Sequence, residues 1–337
     1  MDPKRINSPP RPVDVSVLVP VLDESRHLEE AMAAMCAQRF DGEIEFLLID
    51  GGSTDGTPAI AAELAGRDPR IRLLSNPDRY TPQALNIGLR AARGAYIARM
   101  DAHAVYPPNY LQAGVDRLRR GHVDWVSGPQ VAVGTGRWSR TVALALSTPL
   151  GVGSARFRSP GTAEIELDSN GFCGVWRRST LEAHDGWAEG WPINQDAELA
   201  ARMREAGELI VCLPEMAATY LPRESARSLA RQYWRYGQYR AKTSLRHPRS
   251  LRRSHLIPPS LVLALLAAGG SSRVRRPARG ALVAYGAALA VTGSRSRRRS
   301  GPGEARLLPA ALATMHLTWG LGFLVGLVRF ARPGGGA

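Results

Sequence analysis

The tripeptide Asp101-Ala-His103 places a carboxylate and an imidazole two residues apart, directly after an apolar run. On an extended backbone, side chains at positions i and i+2 leave the same face. A carboxylate oxygen and an imidazole nitrogen together suit Mn²⁺ or Mg²⁺, with a diphosphate completing the coordination. The spacing is also compatible with a solvated aspartate beside a loop histidine, and it does not show whether His103 would bind a metal or only orient Asp101.

Two further acids stand at positions where a ligand can approach. Asp50 is followed by Gly51-Gly52-Ser53, a tight turn that lets the backbone come close to a ligand, and its carboxylate suits a uracil imide or a ribose hydroxyl. An ordinary turn explains the same residues. Asp196 begins a predicted helix over 196–206, where the helix dipole stabilises an anion. It could remove a proton from an acceptor hydroxyl, or simply cap the helix.

A basic aromatic stretch, Gln232-Tyr-Trp-Arg-Tyr-Gly237, lies within a predicted amphipathic helix over 225–242. Arginines next to aromatic rings can stack on a sugar or clamp a phosphate. They are equally suited to a helix at the headgroup level of a membrane, with Trp234 and Tyr236 as anchors. The two roles are compatible.

Alternating apolar and helical segments should position these residues. Short apolar runs predict strands over 15–19 (ending at Pro20), 44–49, 71–74 and 95–98, with helices predicted over 24–38, 57–65 and 82–92. Such alternation predicts an α/β domain with a mostly parallel sheet, whose ligands bind beyond the carboxyl ends of the strands. Asp23, Asp50 and Asp101 each follow a strand, so we expect the three acids to meet at one edge of the sheet.

The C-terminal third is strongly basic and interrupted by apolar segments. The chain has 337 residues and a net charge of +14. Between Arg223 and Arg306 there are 19 Lys and Arg but only two acids, Glu224 and Glu304. Apolar segments at 256–270 and 281–293 are shorter than the roughly 20 residues of a spanning helix, whereas 307–328 is long enough. Uncharged runs beside arginines favour a lipid surface, so we expect no nucleic-acid partner.

The set of motifs, in this order, resembles the family 2 glycosyltransferases, and within them the membrane-attached enzymes of succinoglycan type. The resemblance covers about residues 13–250. It is carried by the residues already described together with three further segments: Asn76–Leu89, Asn194-Gln-Asp196 and Tyr220–Ser225.

The resemblance implies a GT-A fold, a Rossmann-like nucleotide-sugar-binding domain, followed by membrane-associated helices. It also implies a UDP-sugar donor, with UDP-glucose expected, and Mn²⁺ or Mg²⁺. Asp196 would be the catalytic base, and Asp101 and His103 the metal ligands. The residues that the resemblance assigns to the nucleotide sugar are Pro20, Asp23, Glu24, Asp50, Asn86 and Asp101. Those that it assigns to the pyrophosphate or the acceptor are Gln232, Arg235 and Tyr236.

Some positions depart from the common family pattern: Asp23 replaces Asn, Gly51 a second Asp, Gln195 a Glu, and Tyr236 a Trp. The first two could change the nucleoside preference, and the last two favour the addition of a single sugar over processive synthesis.

We therefore expect a disordered segment over 1–12, a catalytic domain over 13–224, a basic interfacial helix over 225–250 and membrane helices over 251–330. The expected activity is inverting transfer of one sugar to a polyprenyl-diphosphate-linked or other glycan acceptor, in exopolysaccharide or cell-envelope synthesis. The catalytic domain would face the cytoplasm, on a multi-pass or re-entrant membrane part. The alternatives are a nucleotidyltransferase with a similar core and a non-enzymatic protein that binds membranes or polyanions.

Overall fold

The computed structural model describes residues 12–153, 155–158, 161–298 and 300–331. The predicted disordered N-terminus therefore lies almost wholly outside the described residues. The strands are β1 (Val15–Val21), β2 (Ile44–Asp50), β3 (Ile71–Ser75), β4 (Tyr96–Arg99), β5 (Ala104–Val105), β6 (Trp125–Gly128), β7 (Gln130–Ala132), β8 (Ile165–Glu166), β9 (Phe172–Arg177), β10 (Ile210–Cys212) and β11 (Ala218–Tyr220). The helices are α1 (Leu28–Cys36), α2 (Thr57–Arg67), α3 (Thr81–Ala91), α4 (Tyr110–Arg119), α5 (Arg137–Leu146), α6 (Pro149–Val152), α7 (Arg178–Ala183), α8 (Gln195–Glu205), α9 (Ala226–Arg246), α10 (Arg253–Ala267), α11 (Ser272–Ser296) and α12 (Pro302–Phe330).

An eight-stranded mixed sheet forms the centre of the fold, in the order β3-β2-β1-β4-β9-β6-β10-β8. The first four strands are parallel, as the alternation of strands and helices predicted. β9 then pairs antiparallel with both β4 and β6. A smaller sheet, β5-β11-β7, lies beside it. Because β1, β2 and β4 are neighbours and parallel, their carboxyl ends lie at one edge of the sheet.

The sheet is buried on both faces, as its sequence predicts. β1 and β2 are almost continuously apolar, which is typical of parallel strands covered on both sides by helices. One face packs against α1 and α4, and the other against α3 and α8. On the second face, the ring of Trp176 is tilted against that of Trp125 and meets that of Trp187 edge to face. The two apolar layers fix the strands whose ends carry the polar residues.

Several predicted boundaries were wrong by a few residues. β1 does not end at Pro20: it continues to Val21, which pairs with Asp50. Proline is tolerated there because β4 pairs with β1 only as far as Leu18, so one side of β1 has no strand partner at Pro20. The first helix begins at Leu28, not Glu24, because the backbone amides of Glu24 and Ser25 donate to Thr57 and Asp55 in the loop after β2. The amphipathic helix extends to Arg246.

The C-terminal helices α9–α12 form a layer against the α/β domain, which we call the helical layer. Leu308, Leu312 and Met315 of α12 pack with Val142 and Leu146 of α5 in one buried apolar cluster. Further along, α12 runs beside α9 at close range. A side chain at Gly322 would overlap the carbonyl of Trp234, and one at Gly326 would lie 2.7 Å from the carbonyl oxygen of Gln238. The first half of α12 is therefore held against α5, and its second half against α9 within the helical layer.

Within the described residues, one helix, Gly303–Phe330, is long and apolar enough to cross a membrane. In its most apolar window, 39% of the residues are buried against the protein. α10 is apolar but has only 15 residues, and α11, with 25, carries arginines at both ends. These findings give no support to the expected multi-pass arrangement.

Candidate active site

The loops after β1 and β2 are joined by hydrogen bonds at the carboxyl edge of the sheet. Ser53 Oγ donates to Asp50 Oδ1 (2.5 Å) and accepts from the backbone amide of Asp23 (2.9 Å). Asp23 Oδ1 accepts from the backbone amide of Thr54 (2.8 Å). Asp23 has a left-handed backbone (φ 54°), a conformation that Asp adopts more readily than most residues. The two predicted acids are thus held side by side.

Arg99, the last residue of β4, joins Asp101 to Asp196. Its Nε and Nη2 donate to the two carboxylate oxygens of Asp101, at 2.8 and 3.1 Å. Its Nη1 lies 2.8 Å from both carboxylate oxygens of Asp196, on the first turn of α8. The guanidinium side chain is only 8% exposed. One buried cation therefore orients the predicted metal ligand and the predicted base together.

The pKa values of the two acids shift in opposite directions. Burial alone would raise the pKa of Asp101, but the charge and hydrogen bonds of Arg99 outweigh it, and the pKa falls below its usual value. For Asp196, burial dominates over the attraction of Arg99, and the neighbouring charge of Asp101 adds to it, so the pKa is raised. Asp101 is therefore fixed as an anion, whereas Asp196 is the carboxylate that takes up a proton more readily. This division suits an electrostatic role for Asp101 and a proton-accepting role for Asp196.

A second group of contacts holds the main chain at Asp101. The backbone amide of Asp101 donates to the hydroxyl of Tyr106 (2.7 Å). That hydroxyl donates to Cys173 Sγ (3.4 Å). All three residues are buried. This contact fixes the backbone from which Asp101 and His103 emerge.

His103 lies beside Glu24, with its Nδ1 3.5 Å from Glu24 Oε1. The contact with Glu24 raises the pKa of His103. Among the described residues, no group of three His, Cys, Asp or Glu side chains forms a ready metal cage. Asp101 and His103 nevertheless supply one oxygen and one nitrogen ligand, and Mg²⁺-type sites commonly take only one or two protein ligands besides phosphate oxygens and water. The donor set fits such a metal.

A cavity of about 1430 Å³ begins at this edge and continues toward the helical layer. At one end it is lined by Arg99, Asp101, His103 and Asp196. Its other end is lined by residues of α9, α10, α11 and α12: Arg240, His255, Tyr285 and Trp319. The space therefore connects the carboxylates with an apolar and basic wall.

The helix that carries Gln232 is joined to the helix that carries Asp196. Asn194, just before α8, has a left-handed backbone (φ 61°), and its side-chain amide donates to the carbonyl of Tyr236 (3.1 Å). Gln232 Nε2 donates to the hydroxyls of Tyr220 (3.2 Å) and Tyr236 (3.1 Å). Gln232 and Tyr236 face the same cavity as Asp196.

Comparison with known proteins is consistent with this geometry. The family model described as glycosyl transferase family 2 matches residues 16–181. The succinoglycan biosynthesis protein ExoA of Rhizobium meliloti is 30% identical over 324 residues, which cover 94% of this chain and 96% of that protein. This chain belongs to the family 2 glycosyltransferases.

Two solved structures share the fold of this glycosyltransferase. The mannosyltransferase PcManGT of Pyrobaculum calidifontis, in complex with GDP-Man and Mn²⁺, matches with a TM-score of 0.61 and 22% identity, covering 94% of this chain and 87% of that one. TarS 1–349 of S. aureus, in complex with UDP-GlcNAc, matches with a TM-score of 0.52 and 15% identity, covering 93% and 91%. The GT-A fold expected from the motifs is confirmed.

The predicted site residues of the glycosyltransferase fall into two groups. Those that line the cavity are Glu24, Asp101, His103, Asp196, Gln232 and Tyr236. Those that do not line it are Pro20, Asp23, Asp50, Asn86 and Arg235. Asn86 is buried and holds a loop: its amide nitrogen donates to the carbonyl of Trp187 (2.8 Å), and its oxygen accepts from the amide of Trp187 (2.9 Å). Arg235 is exposed on α9.

Sequence reasoning missed Arg99 and Arg240. For Arg99 a signal was present: the i, i+2 spacing that places Asp101 and His103 on one face applies equally to Arg99 and Asp101. For Arg240 no local signal distinguishes it from the other arginines of α9. Its direction toward the cavity is set by the tertiary packing of the helical layer, in which α9 and α10 each pack on α12.

Proposed function

We propose that this glycosyltransferase moves one sugar from a UDP-sugar, UDP-glucose first among candidates, to a polyprenyl-diphosphate-linked glycan at the inner face of the cell membrane. The observation that carries the proposal is the coupling of Asp101 and Asp196 through Arg99 at one end of a cavity whose other end is apolar and basic. The synthesis of an exopolysaccharide is the setting favoured by the similarity to a succinoglycan biosynthesis protein.

In the proposed reaction, Asp196 accepts the proton of an acceptor hydroxyl. The acceptor oxygen forms a bond to the anomeric carbon while the bond from that carbon to the diphosphate oxygen breaks, and UDP leaves with the electron pair. Attack from the side opposite UDP inverts the anomeric configuration. Because the pKa of Asp196 is raised, its carboxylate is a better proton acceptor than an ordinary surface aspartate.

Asp101 and His103 would hold a divalent cation, Mn²⁺ or Mg²⁺, which neutralises negative charge on the departing diphosphate when it is bound. Arg99 fixes the direction of the Asp101 carboxylate by donating to both of its oxygens. Gln232 and Tyr236, joined through Asn194 to the start of α8, would close over the pyrophosphate or the acceptor. Asp23 and Asp50, held together by Ser53, would contact the nucleoside from the adjoining loops.

Membrane attachment through the helical layer is part of the proposal. Large apolar side chains are exposed on α10, α11 and α12, among them Ile257 (61%), Leu266 (73%), Val283 (72%) and Val328 (65%). Exposed apolar patches rimmed by arginines fit the boundary between lipid headgroups and acyl chains. The catalytic domain would then lie on the cytoplasmic side.

A donor panel tests the proposal. Membranes containing the full chain are incubated with Mn²⁺, a polyprenyl-diphosphate-linked saccharide, and UDP-glucose, UDP-GlcNAc or GDP-mannose in separate reactions. We expect acceptor-dependent release of nucleoside diphosphate to be fastest with UDP-glucose. Preference for GDP-mannose would reject the assignment of Asp50 to uracil. Absence of release with every donor would reject the proposed activity.

A further inference from the structure

The part of the cavity beside the helical layer contains a cation without a carboxylate partner. Arg240 lies part-buried on α9 and lines the cavity. Within the described ranges, Arg240 forms no ion pair and donates no hydrogen bond, whereas the nearby Arg252 is paired with Asp168 (2.6 Å). Burial, and secondly the positive charge of Arg252, lower the pKa of Arg240 to about 10. An unpaired guanidinium in such a place is stabilised by an anion from outside the chain.

Hydrogen-bond donors of α10 lie on the same side of the cavity. Ser254, in the first turn of α10, lines the cavity, and its hydroxyl oxygen is buried without a hydrogen-bond partner among the described residues. α10 has 15 residues, and in its first turn His255 Nδ1 accepts a hydrogen bond from the backbone amide of Arg252 (3.1 Å). The amides at the start of a helix attract negative charge. Arg240 and the first turn of α10 therefore present a guanidinium, a hydroxyl and helix amides to one space.

The surroundings of these donors indicate which anion they bind. Apolar and aromatic residues line this end of the cavity, namely Ile257, Pro258, Met315 and Trp319. Ile257 continues onto the exposed apolar surface of α10, where Leu256 is 46% exposed. The acids predicted to handle the donor lie at the other end. A phosphate at Arg240 would thus have an apolar exit for an attached hydrocarbon chain.

We infer that Arg240 and Ser254, with the first turn of α10, form a binding site for the diphosphate of the lipid-linked acceptor, whose chain leaves over α10. The inference rests on the proposed function for the identity of the lipid. In this assignment, the diphosphate that binds here belongs to the acceptor. The experiment must distinguish it from the diphosphate of the nucleotide donor, which could bind the same groups.

Binding of farnesyl diphosphate to the full chain in detergent micelles tests the inference without any need for sugar transfer. We expect the protein to bind farnesyl diphosphate at least about tenfold more tightly than farnesol, because charge-assisted hydrogen bonds to the diphosphate add to the affinity. Arg240→Gln should remove most of that preference, Arg240→Lys should keep part of it, and Ser254→Ala should weaken it by a smaller factor. Saturating UDP with Mn²⁺ should not displace farnesyl diphosphate.

Arg246→Gln is the matched control, since Arg246 is an exposed arginine on the same helix and does not line the cavity. It should bind farnesyl diphosphate like the unchanged protein. Equal affinity of Arg240→Gln and Arg246→Gln would overturn the inference, and so would displacement by UDP, which would assign the site to the donor. If Arg240→Gln does not fold, the affinities of Arg240→Lys and Ser254→Ala for farnesyl diphosphate are compared with that of Arg246→Gln instead, and equal affinities would overturn the inference. If the protein binds farnesyl diphosphate through Arg240 but transfers no sugar, the proposed function is rejected, whereas the binding site is not.

Discussion

At the carboxyl edge of the sheet, the fold brings charged side chains together, whereas between α9 and α12 it brings backbones together by omitting side chains. The first region has Arg99 between two carboxylates, all within 2.8–3.1 Å. The second has Gly322 and Gly326 against the carbonyls of α9. Charge fixes direction at short range, and close packing fixes the position of a whole helix. Substitutions at the carboxyl edge of the sheet are therefore expected to lower activity, and substitutions at the contact between α9 and α12 are expected to lower stability.

A large loss of activity is expected from Asp101→Asn, at the carboxyl edge of the sheet. The variant removes the anion that Arg99 orients and replaces the proposed carboxylate ligand by a neutral amide, so UDP release should fall by at least about a hundredfold. Asp185→Asn is a suitable control, because Asp185 is exposed and its left-handed φ of 54° is tolerated by Asn. The steady-state rate of UDP release is measured for both variants and compared. Equal activity of the two would show that Asp101 has no part in the reaction.

Arg99→Gln should change the pH dependence as well as the rate. Arg99 attracts the anionic form of Asp196, so its removal should raise the pKa of Asp196 further. A base works only when it is deprotonated, and the acid limb of the pH profile of kcat/KM should therefore move to higher pH. Arg99→Lys, which keeps the charge, should move it less. An acid limb at the same pH in both variants would mean that Arg99 does not control the proton acceptor.

A smaller effect, on stability, is expected from Gly322→Ala. The added methyl group would overlap the carbonyl of Trp234, so α12 must shift away from α9, and overpacking of this kind costs about 1–3 kcal/mol. Gly286→Ala on α11 is the matched control, because its added methyl group meets no atom within 4 Å. Thermal unfolding in detergent should show a lower melting temperature only for Gly322→Ala. Identical melting temperatures would contradict the close contact of the two helices.

Features that depend on residues close together in the chain could be predicted from the sequence, whereas features that depend on distant residues could not. β1, β2 and β4 were predictable because a buried parallel strand is marked by its own apolar residues, and the acids at the ends of those strands lie at one edge of the sheet because neighbouring parallel strands end together. Of the three acids, Asp101 lines the cavity, whereas Asp23 and Asp50 do not. The insertion of β9 between β4 and β6 was not predictable, since Phe172 and Arg177 lie more than 70 residues from β4 in the chain. The bridge from Arg99 to Asp196 spans 97 residues for the same reason.

The helical layer was harder to predict because apolar composition does not distinguish between lipid and protein as the partner of a helix. The apolar run over 307–328 predicted a membrane span, yet Leu308, Leu312 and Met315 are buried against α5 and α9. The close approach of α9 to Gly322 and Gly326 was not predicted, because the helix that a glycine faces is set by the tertiary packing. The exposed side chains of α10 and α11 remain the best indication of a lipid surface.

The central claim is that Asp196 accepts the proton of the acceptor hydroxyl. The most direct measurement is acceptor-dependent transfer of radiolabelled glucose from UDP-glucose by the full chain and by Asp196→Asn, with binding of UDP-glucose measured in parallel. We predict that Asp196→Asn lowers the transfer rate by about 10²–10⁴-fold, the usual contribution of a positioned general base, with donor affinity little changed. Transfer at the rate of the unchanged protein would contradict the claim.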